Sequence, residues 1–191
     1  MKTIKVYTPA ELKELFPDAF EKAHERYIQS DYEIPWSEDT IESMKAVFKA
    51  AGLALRDYSI DGYNPGNSGL KVDIETATGE LAGQRAIAWL ENNLFYALRT
   101  PWGLGKIKDR VRYQHPAGSI PECPLTGYCA DDDYLDALTK EILEGSTIKE
   151  AFQRLAYVAG KILENEIEYT QTEEYFIENE CLVYTEEGRL I

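Results

Sequence analysis

Helical periodicity dominates the first fifty residues. Thr8, Pro9 and Glu11 form a capping-box pattern, which predicts that a helix begins at Pro9. Pro17 restarts the helical pattern, and a further helix is predicted from Ser37 to a glycine cap at Gly52. Apolar residues recur at spacings of three and four in these runs, which predicts buried faces formed by Phe20, Ala23, His24 and Tyr27 and by Ile41, Met44, Ala46, Val47, Phe48 and Ala51.

The pattern changes in the middle of the chain. Leu53 to Ile60 and Leu70 to Thr76 are short and β-prone, with a turn-rich segment between them, which predicts two antiparallel strands. Gln84 to Leu98 predicts a central helix with a broad apolar surface. The segment Lys106 to Tyr113 alternates, so a strand there would carry four cations on one face: Lys106, Lys108, Arg110 and Arg112.

The last third is again helical. Three aspartates at Asp131 to Asp133 precede an apolar periodic run, and Thr147 with Glu150 forms another capping box. A short acidic helix is predicted from Thr172 to about Glu180. The fold class predicted is α+β, a helix-dominated single domain over 1–191, with a helical part at 1–52, a small antiparallel sheet and central helix at 53–115, and an acidic helical part at 116–191.

Charge is distributed unevenly along this framework. The net charge is −14, made up of −3 in residues 1–50, +1 in 51–115 and −12 in 116–191. Such an acidic chain is a poor candidate for direct binding to nucleic acid, because that binding relies on cationic side chains. The favoured partner is a basic protein or nucleoprotein complex. The four cations of the predicted strand either pair with the acidic third or contact an acidic partner or nucleic acid.

The acidic third therefore holds the candidate protein-binding residues. In this hypothesis the acidic side chains imitate the spaced charges of a phosphate backbone, and Tyr169, Tyr175 and Tyr184 add contact area. Three alternatives stay open: a solvated exterior for the acidic surface, N-capping and favourable contact with the helix dipole for the aspartates, or Mg²⁺ or Ca²⁺ held by those aspartates. The ten candidate residues are Asp131, Asp132, Asp133, Asp136, Glu164, Glu166, Glu168, Glu173, Glu174 and Glu178.

No catalytic or cofactor-binding motif is found. The two histidines, His24 and His115, lie in no recognisable motif, and no phosphate-binding glycine loop is present. The three cysteines have neither disulfide-framework nor zinc spacing. We therefore expect no enzyme activity, no cofactor and no metal; a pocket gathering His115 with Cys123 or Cys129 would favour the opposite.

Several segments of the sequence resemble segments of small acidic proteins of bacteriophages and prophages. They include Gly127 to Asp131, Tyr134 to Asp136, Gly145 to Phe152, Glu174 to Phe176 and the ending Gly188 to Ile191. Such proteins are sometimes antitoxin-like, and their genes lie in neighbourhoods where inhibitors of host defence are common. The resemblance implies no functional residue.

The leading hypothesis is a phage-derived, non-enzymatic protein that inhibits a basic, nucleic-acid-handling host defence factor, in the manner of an anti-CRISPR protein. The alternatives are an antitoxin that neutralises a basic toxin, a small enzyme or metal-binding phage protein, and a structural or oligomerising phage protein. The sequence contains no run of about 18 apolar residues and its first residues lack the apolar run of a secretory signal, so we expect a cytoplasmic protein with no membrane partner.

Overall fold

The computed structural model describes residues 5–30, 37–95, 125–128, 130–179 and 181–191, without the side chain of Phe95. Helices dominate this part of the chain, and its sheet is a single antiparallel pair, so the predicted α+β class is confirmed. The predicted strand Lys106 to Tyr113, with its four cations, lies outside the described residues, as do His115, Cys123 and Cys129.

The helices are α1 (Pro9–Leu15), α2 (Pro17–Gln29), α3 (Ser37–Ala50), α4 (Thr76–Gly79), α5 (Gly83–Leu90), α6 (Ala130–Leu143), α7 (Ile148–Thr170) and α8 (Glu173–Glu178). The strands are β1 (Ala54–Ser59) and β2 (Gly69–Asp73), with a short 3₁₀ turn at Pro65–Asn67 between them. A π-helical turn at Glu91–Phe95 follows α5 directly.

The chain divides into two compact units. Unit 1 consists of Met1–Pro35 and Asn165–Ile191, and unit 2 consists of Trp36–Glu164. The chain passes from one unit to the other after Pro35 and again after Glu164, within α7. The single domain over 1–191 stays a prediction.

Unit 1 brings the first two helices together with the C-terminal segment. The predicted capping box is confirmed, because the Thr8 hydroxyl accepts from the Glu11 amide at 3.3 Å and the Glu11 carboxylate accepts from the Thr8 amide at 2.9 Å. Its core is aromatic: Phe20 packs 5.5 Å from Phe176, which packs 5.7 Å from Tyr184, measured between ring centroids. Phe20 and Ala23 are buried here, as the apolar face predicted for α2 requires.

His24 belongs to the same core. The ring lies half-buried against Phe20 and Phe176, and Nε2 is 3.0 Å from the carbonyl oxygen of Gln171. The prediction that His24 is a packed residue on the apolar face of its helix is thereby confirmed.

Unit 2 is built around a larger apolar core. Phe48 of α3 packs edge-on against Phe152 of α7 at 5.2 Å, and the buried Tyr134 hydroxyl donates to the Thr40 carbonyl at 3.0 Å. The two predicted strands are confirmed, with Leu55 opposite Val72 and an irregularity at Arg56. Gly52 ends α3 with a φ of 70°, the left-handed conformation that favours glycine.

Candidate functional site

Asp131 is separated from the other candidate residues by its burial. It is fully buried at the start of α6, and its carboxylate accepts hydrogen bonds from the Leu125 amide at 2.8 Å, the Thr126 amide at 2.7 Å and the Thr126 hydroxyl at 2.9 Å. These bonds fix the turn Leu125–Tyr128 against the helix that follows. Since the hydrogen bonds satisfy the buried carboxylate, the role of Asp131 in this structure is to hold this turn.

The remaining aspartates of α6 reach the surface to different extents. Asp132 is half-buried, and Asp133 and Asp136 are exposed. Partial loss of water around the carboxyl group, together with the charges of Asp132 and Asp136, raises the pKa of Asp133 above its usual value. The same charges lie in and near the first turn of the helix, where the helix dipole favours negative side chains.

Two further candidates in the helical region have cationic neighbours. Glu164 is half-buried and accepts a hydrogen bond from the ammonium group of Lys161, one helical turn before it. Glu173, in unit 1, pairs with Lys13 at 2.7 Å, and this hydrogen bond and charge hold its pKa below the usual value. The charge of each of these carboxylates is therefore partly compensated within the chain.

Unit 1 presents a face that combines carboxylates with tyrosines. Glu168, Glu174 and Glu178 are exposed, as is Tyr169, whereas Tyr175 is half-buried. The two tyrosine rings meet edge-on with centroids 5.3 Å apart. We call these five residues the tyrosine–carboxylate face. Glu166, another candidate residue, is half-buried near the end of α7.

The two halves of this face are joined by a hydrogen bond. The Tyr169 hydroxyl donates to the Glu178 carboxylate at 3.4 Å, and the charge of Glu178 is the main reason that the pKa of Tyr169 is raised. Tyr184 is not part of the face, because only 3% of it is exposed and it packs against Phe176 in the core. The prediction that Tyr184 supplies contact area was therefore wrong, whereas Tyr169 is 43% exposed.

The excess negative charge is concentrated in unit 1. Its sequence ranges contain fifteen acidic and six basic residues, for a net charge of −9, whereas unit 2 carries −5. Among its described cations, Lys13 pairs with Glu173, and Arg189 pairs with Glu187 at 3.2 Å. The tyrosine–carboxylate face thus belongs to a unit with far more carboxylates than cations.

Side chains that commonly bind metal ions are not grouped in the described ranges. Within them, no group of three or more histidine, cysteine, aspartate or glutamate side chains is arranged to hold a metal ion. Cys181 is a free, exposed thiol.

None of the helices in these ranges combines the length and the apolar character needed to cross a membrane.

Comparison of the chain with models of protein families, with curated protein sequences and with solved structures finds no match.

Proposed function

We propose that this protein is a non-enzymatic binding protein whose acidic surface engages and blocks a basic, nucleic-acid-handling factor of the host cell. The observation that carries the proposal is the tyrosine–carboxylate face in unit 1. There, three exposed glutamates and a pair of tyrosines lie on α7 and α8, in a unit of net charge −9.

This combination suits a basic partner for electrostatic reasons. Uncompensated carboxylates attract a cationic surface over a distance of roughly 10 Å at moderate salt, which accelerates encounter and disfavours acidic partners. Glu168, Glu174 and Glu178 supply such charges, whereas Glu164 and Glu173 are partly compensated by lysines. The face therefore has the sign of charge that a nucleic-acid-binding channel attracts.

The tyrosines supply the other part of a binding surface. Tyrosine is enriched at protein interfaces because its rigid ring offers apolar area and its hydroxyl stays hydrated or hydrogen-bonded. The edge-on contact between Tyr169 and Tyr175 and the bond to Glu178 hold the three side chains in one arrangement before any partner arrives. Such an arrangement reduces the entropy lost on binding.

The resemblance to small acidic phage proteins favours a host defence complex, such as a CRISPR effector, as the basic factor. A toxin neutralised by an antitoxin is the other basic partner that this resemblance implies. Both partners would be recognised by the same chemistry, and the identity of the captured protein distinguishes them.

The test uses two variants with equal changes in charge. In the first, Glu168, Glu174 and Glu178 are all replaced by glutamine; in the second, the exposed Glu38, Glu75 and Glu80 of unit 2 are replaced in the same way. The wild type and both variants are immobilised and used to capture proteins from a bacterial lysate at low salt. Bound protein is then challenged with duplex DNA.

We expect a basic protein to be captured by the wild type and the unit 2 variant, lost from the unit 1 variant, and displaced by duplex DNA. Capture that withstands DNA and high salt would contradict charge-based binding. Equal loss from the two variants would show that the total charge matters and the tyrosine–carboxylate face does not.

A further inference from the structure

The tyrosine–carboxylate face also indicates which cationic side chain of a partner it binds, an inference that rests on the function proposed above. Tyr169 is the exposed ring of this face, and its hydroxyl donates to the Glu178 carboxylate at 3.4 Å. The charges of Glu178 and, to a smaller extent, Glu174 raise the pKa of Tyr169, so both carboxylates act on its hydroxyl. An exposed aromatic ring therefore lies next to two carboxylates.

Both carboxylates keep their charge and most of their capacity to accept hydrogen bonds. Among the ion pairs of the described residues, none involves Glu174 or Glu178, whereas the neighbouring Glu173 pairs with Lys13. The Tyr169 hydroxyl is a neutral donor and occupies one of the roughly four acceptor positions of the Glu178 carboxylate. This carboxylate can therefore accept two further N–H groups from a cation.

Unit 2 contains an arginine held by the same two kinds of side chain. The guanidinium carbon of Arg154 lies 3.7 Å from the centre of the Tyr157 ring, and its Nε lies 3.6 Å from a carboxylate oxygen of Glu141. The ammonium group of Lys45 stays farther from its aromatic neighbour, 5.5 Å from the centre of the Tyr58 ring. A planar guanidinium can thus stack closely on a tyrosine while it pairs with a glutamate.

We propose that the tyrosine–carboxylate face binds an arginine side chain of its basic partner, whose guanidinium stacks on the Tyr169 ring and donates hydrogen bonds to Glu178 or Glu174. A guanidinium is flat, weakly hydrated and carries five donors in a fixed fork, whereas the ammonium of lysine is compact and strongly hydrated. Tyr175 packs edge-on against Tyr169 at 5.3 Å and restricts the orientation of the stacking ring. The face therefore favours an arginine-rich surface over a lysine-rich one.

The probes are two fluorescent peptides of equal length and charge, capped at both ends, in which either arginine or lysine alternates with serine. Fluorescence anisotropy at low salt should show that the wild-type protein binds the arginine peptide on the order of fivefold more tightly than the lysine peptide. A surface that recognises charge alone would bind the two peptides equally.

Three variants locate this preference on the protein. Tyr169→Leu should remove the preference for arginine and leave the affinity for the lysine peptide within about twofold, whereas Tyr169→Phe keeps the ring and should retain the preference. Tyr63→Leu, which removes an exposed tyrosine of unit 2, is the matched control and should leave the preference unchanged.

The inference is overturned if neither peptide binds, if both bind the wild type equally, or if Tyr63→Leu reduces the preference as much as Tyr169→Leu. Its failure can be distinguished from failure of the proposed function. Capture of a basic protein that depends on Glu168, Glu174 and Glu178, without any preference for arginine, would leave the proposed function standing and assign the binding to charge alone.

Discussion

Replacement of Asp131 by alanine tests the division of the aspartate cluster into a buried anchor and exposed charges. The change removes the acceptor of three hydrogen bonds, from two backbone amides and one hydroxyl, and leaves the amides of Leu125 and Thr126 without that partner. A bond to a charged acceptor contributes roughly 1.5–3 kcal/mol, and the turn can recover part of the loss from water. We therefore expect a loss of about 3–5 kcal/mol in the free energy of unfolding of unit 2.

Asparagine at the same position should cost about 1–2 kcal/mol, because its carbonyl oxygen can accept the two amides while its amide donates to the Thr126 hydroxyl. Asp136→Ala is the matched control: this residue is exposed on the same helix, and its loss should change stability by less than about 0.5 kcal/mol. The contrast between the buried and the exposed aspartate does not depend on the identity of any partner.

Tryptophan fluorescence during urea unfolding is the appropriate assay. Trp36, Trp89 and Trp102 are the three tryptophans of the chain, and all of them fall within the sequence range of unit 2. The signal therefore reports the unit in which Asp131 lies. Equal urea midpoints for Asp131→Ala and Asp136→Ala would refute this reasoning. Removal of a carboxylate with three internal hydrogen bonds must destabilise the fold more than removal of an exposed carboxylate.

Three further predictions concern unit 1 and the core of unit 2. Gly188→Ala should destabilise unit 1 by more than about 2 kcal/mol in thermal unfolding followed by circular dichroism, because φ is 73° and the added Cβ would lie 2.3 Å from the Ala19 oxygen. Tyr134→Phe should cost about 1–2 kcal/mol in urea unfolding, because it removes the hydrogen bond from the buried Tyr134 hydroxyl to the Thr40 carbonyl of α3. Because its pKa is lowered, Glu173 paired with Lys13 stabilises the fold at pH above the unfolded pKa of this group, and this stabilisation is lost as pH falls through the folded pKa. In the Lys13→Met variant, the Glu173 pKa measured by NMR titration should return toward its usual value.

Local features of the fold could be read from the sequence because their partners are close in the chain. The capping boxes are the clearest case: Thr147 and Glu150 bond to each other's backbone amides at 3.3 and 2.8 Å, as their spacing predicts. The strand pair and the glycine cap of α3 were predictable for the same reason. The cap depends on residues within a few positions, and the two strands are joined by the short segment 60–68.

The candidate site was less predictable because exposure is a property of the folded chain. Asp131 and Asp133 have the same side chain in the same helical turn, but only Asp131 faces the turn that precedes the helix. No local pattern distinguishes them. Tyr184 lies in a C-terminal segment rich in charged residues. Only its pairing with Tyr7 and its packing on Phe176 show that it belongs to the core.

The distribution of net charge could likewise be interpreted only once the two units were known. In sequence order the excess lies in the last third, but unit 1 combines the end of the chain with its first helices and carries −9. The lysine that pairs with Glu173 comes from α1, about 160 positions earlier in the chain. The carboxylates that remain for a partner could be selected only after such pairings were identified.

The most direct test of the central claim is the salt dependence of the affinity between this protein and the basic protein it captures. For binding through the tyrosine–carboxylate face, log Kd should rise steeply with log salt for the wild type, and the variant with glutamine at Glu168, Glu174 and Glu178 should show a weaker affinity and a shallower slope. Equal slopes for the wild type and this variant would contradict the account, because the exposed carboxylates of unit 1 would then contribute nothing to binding.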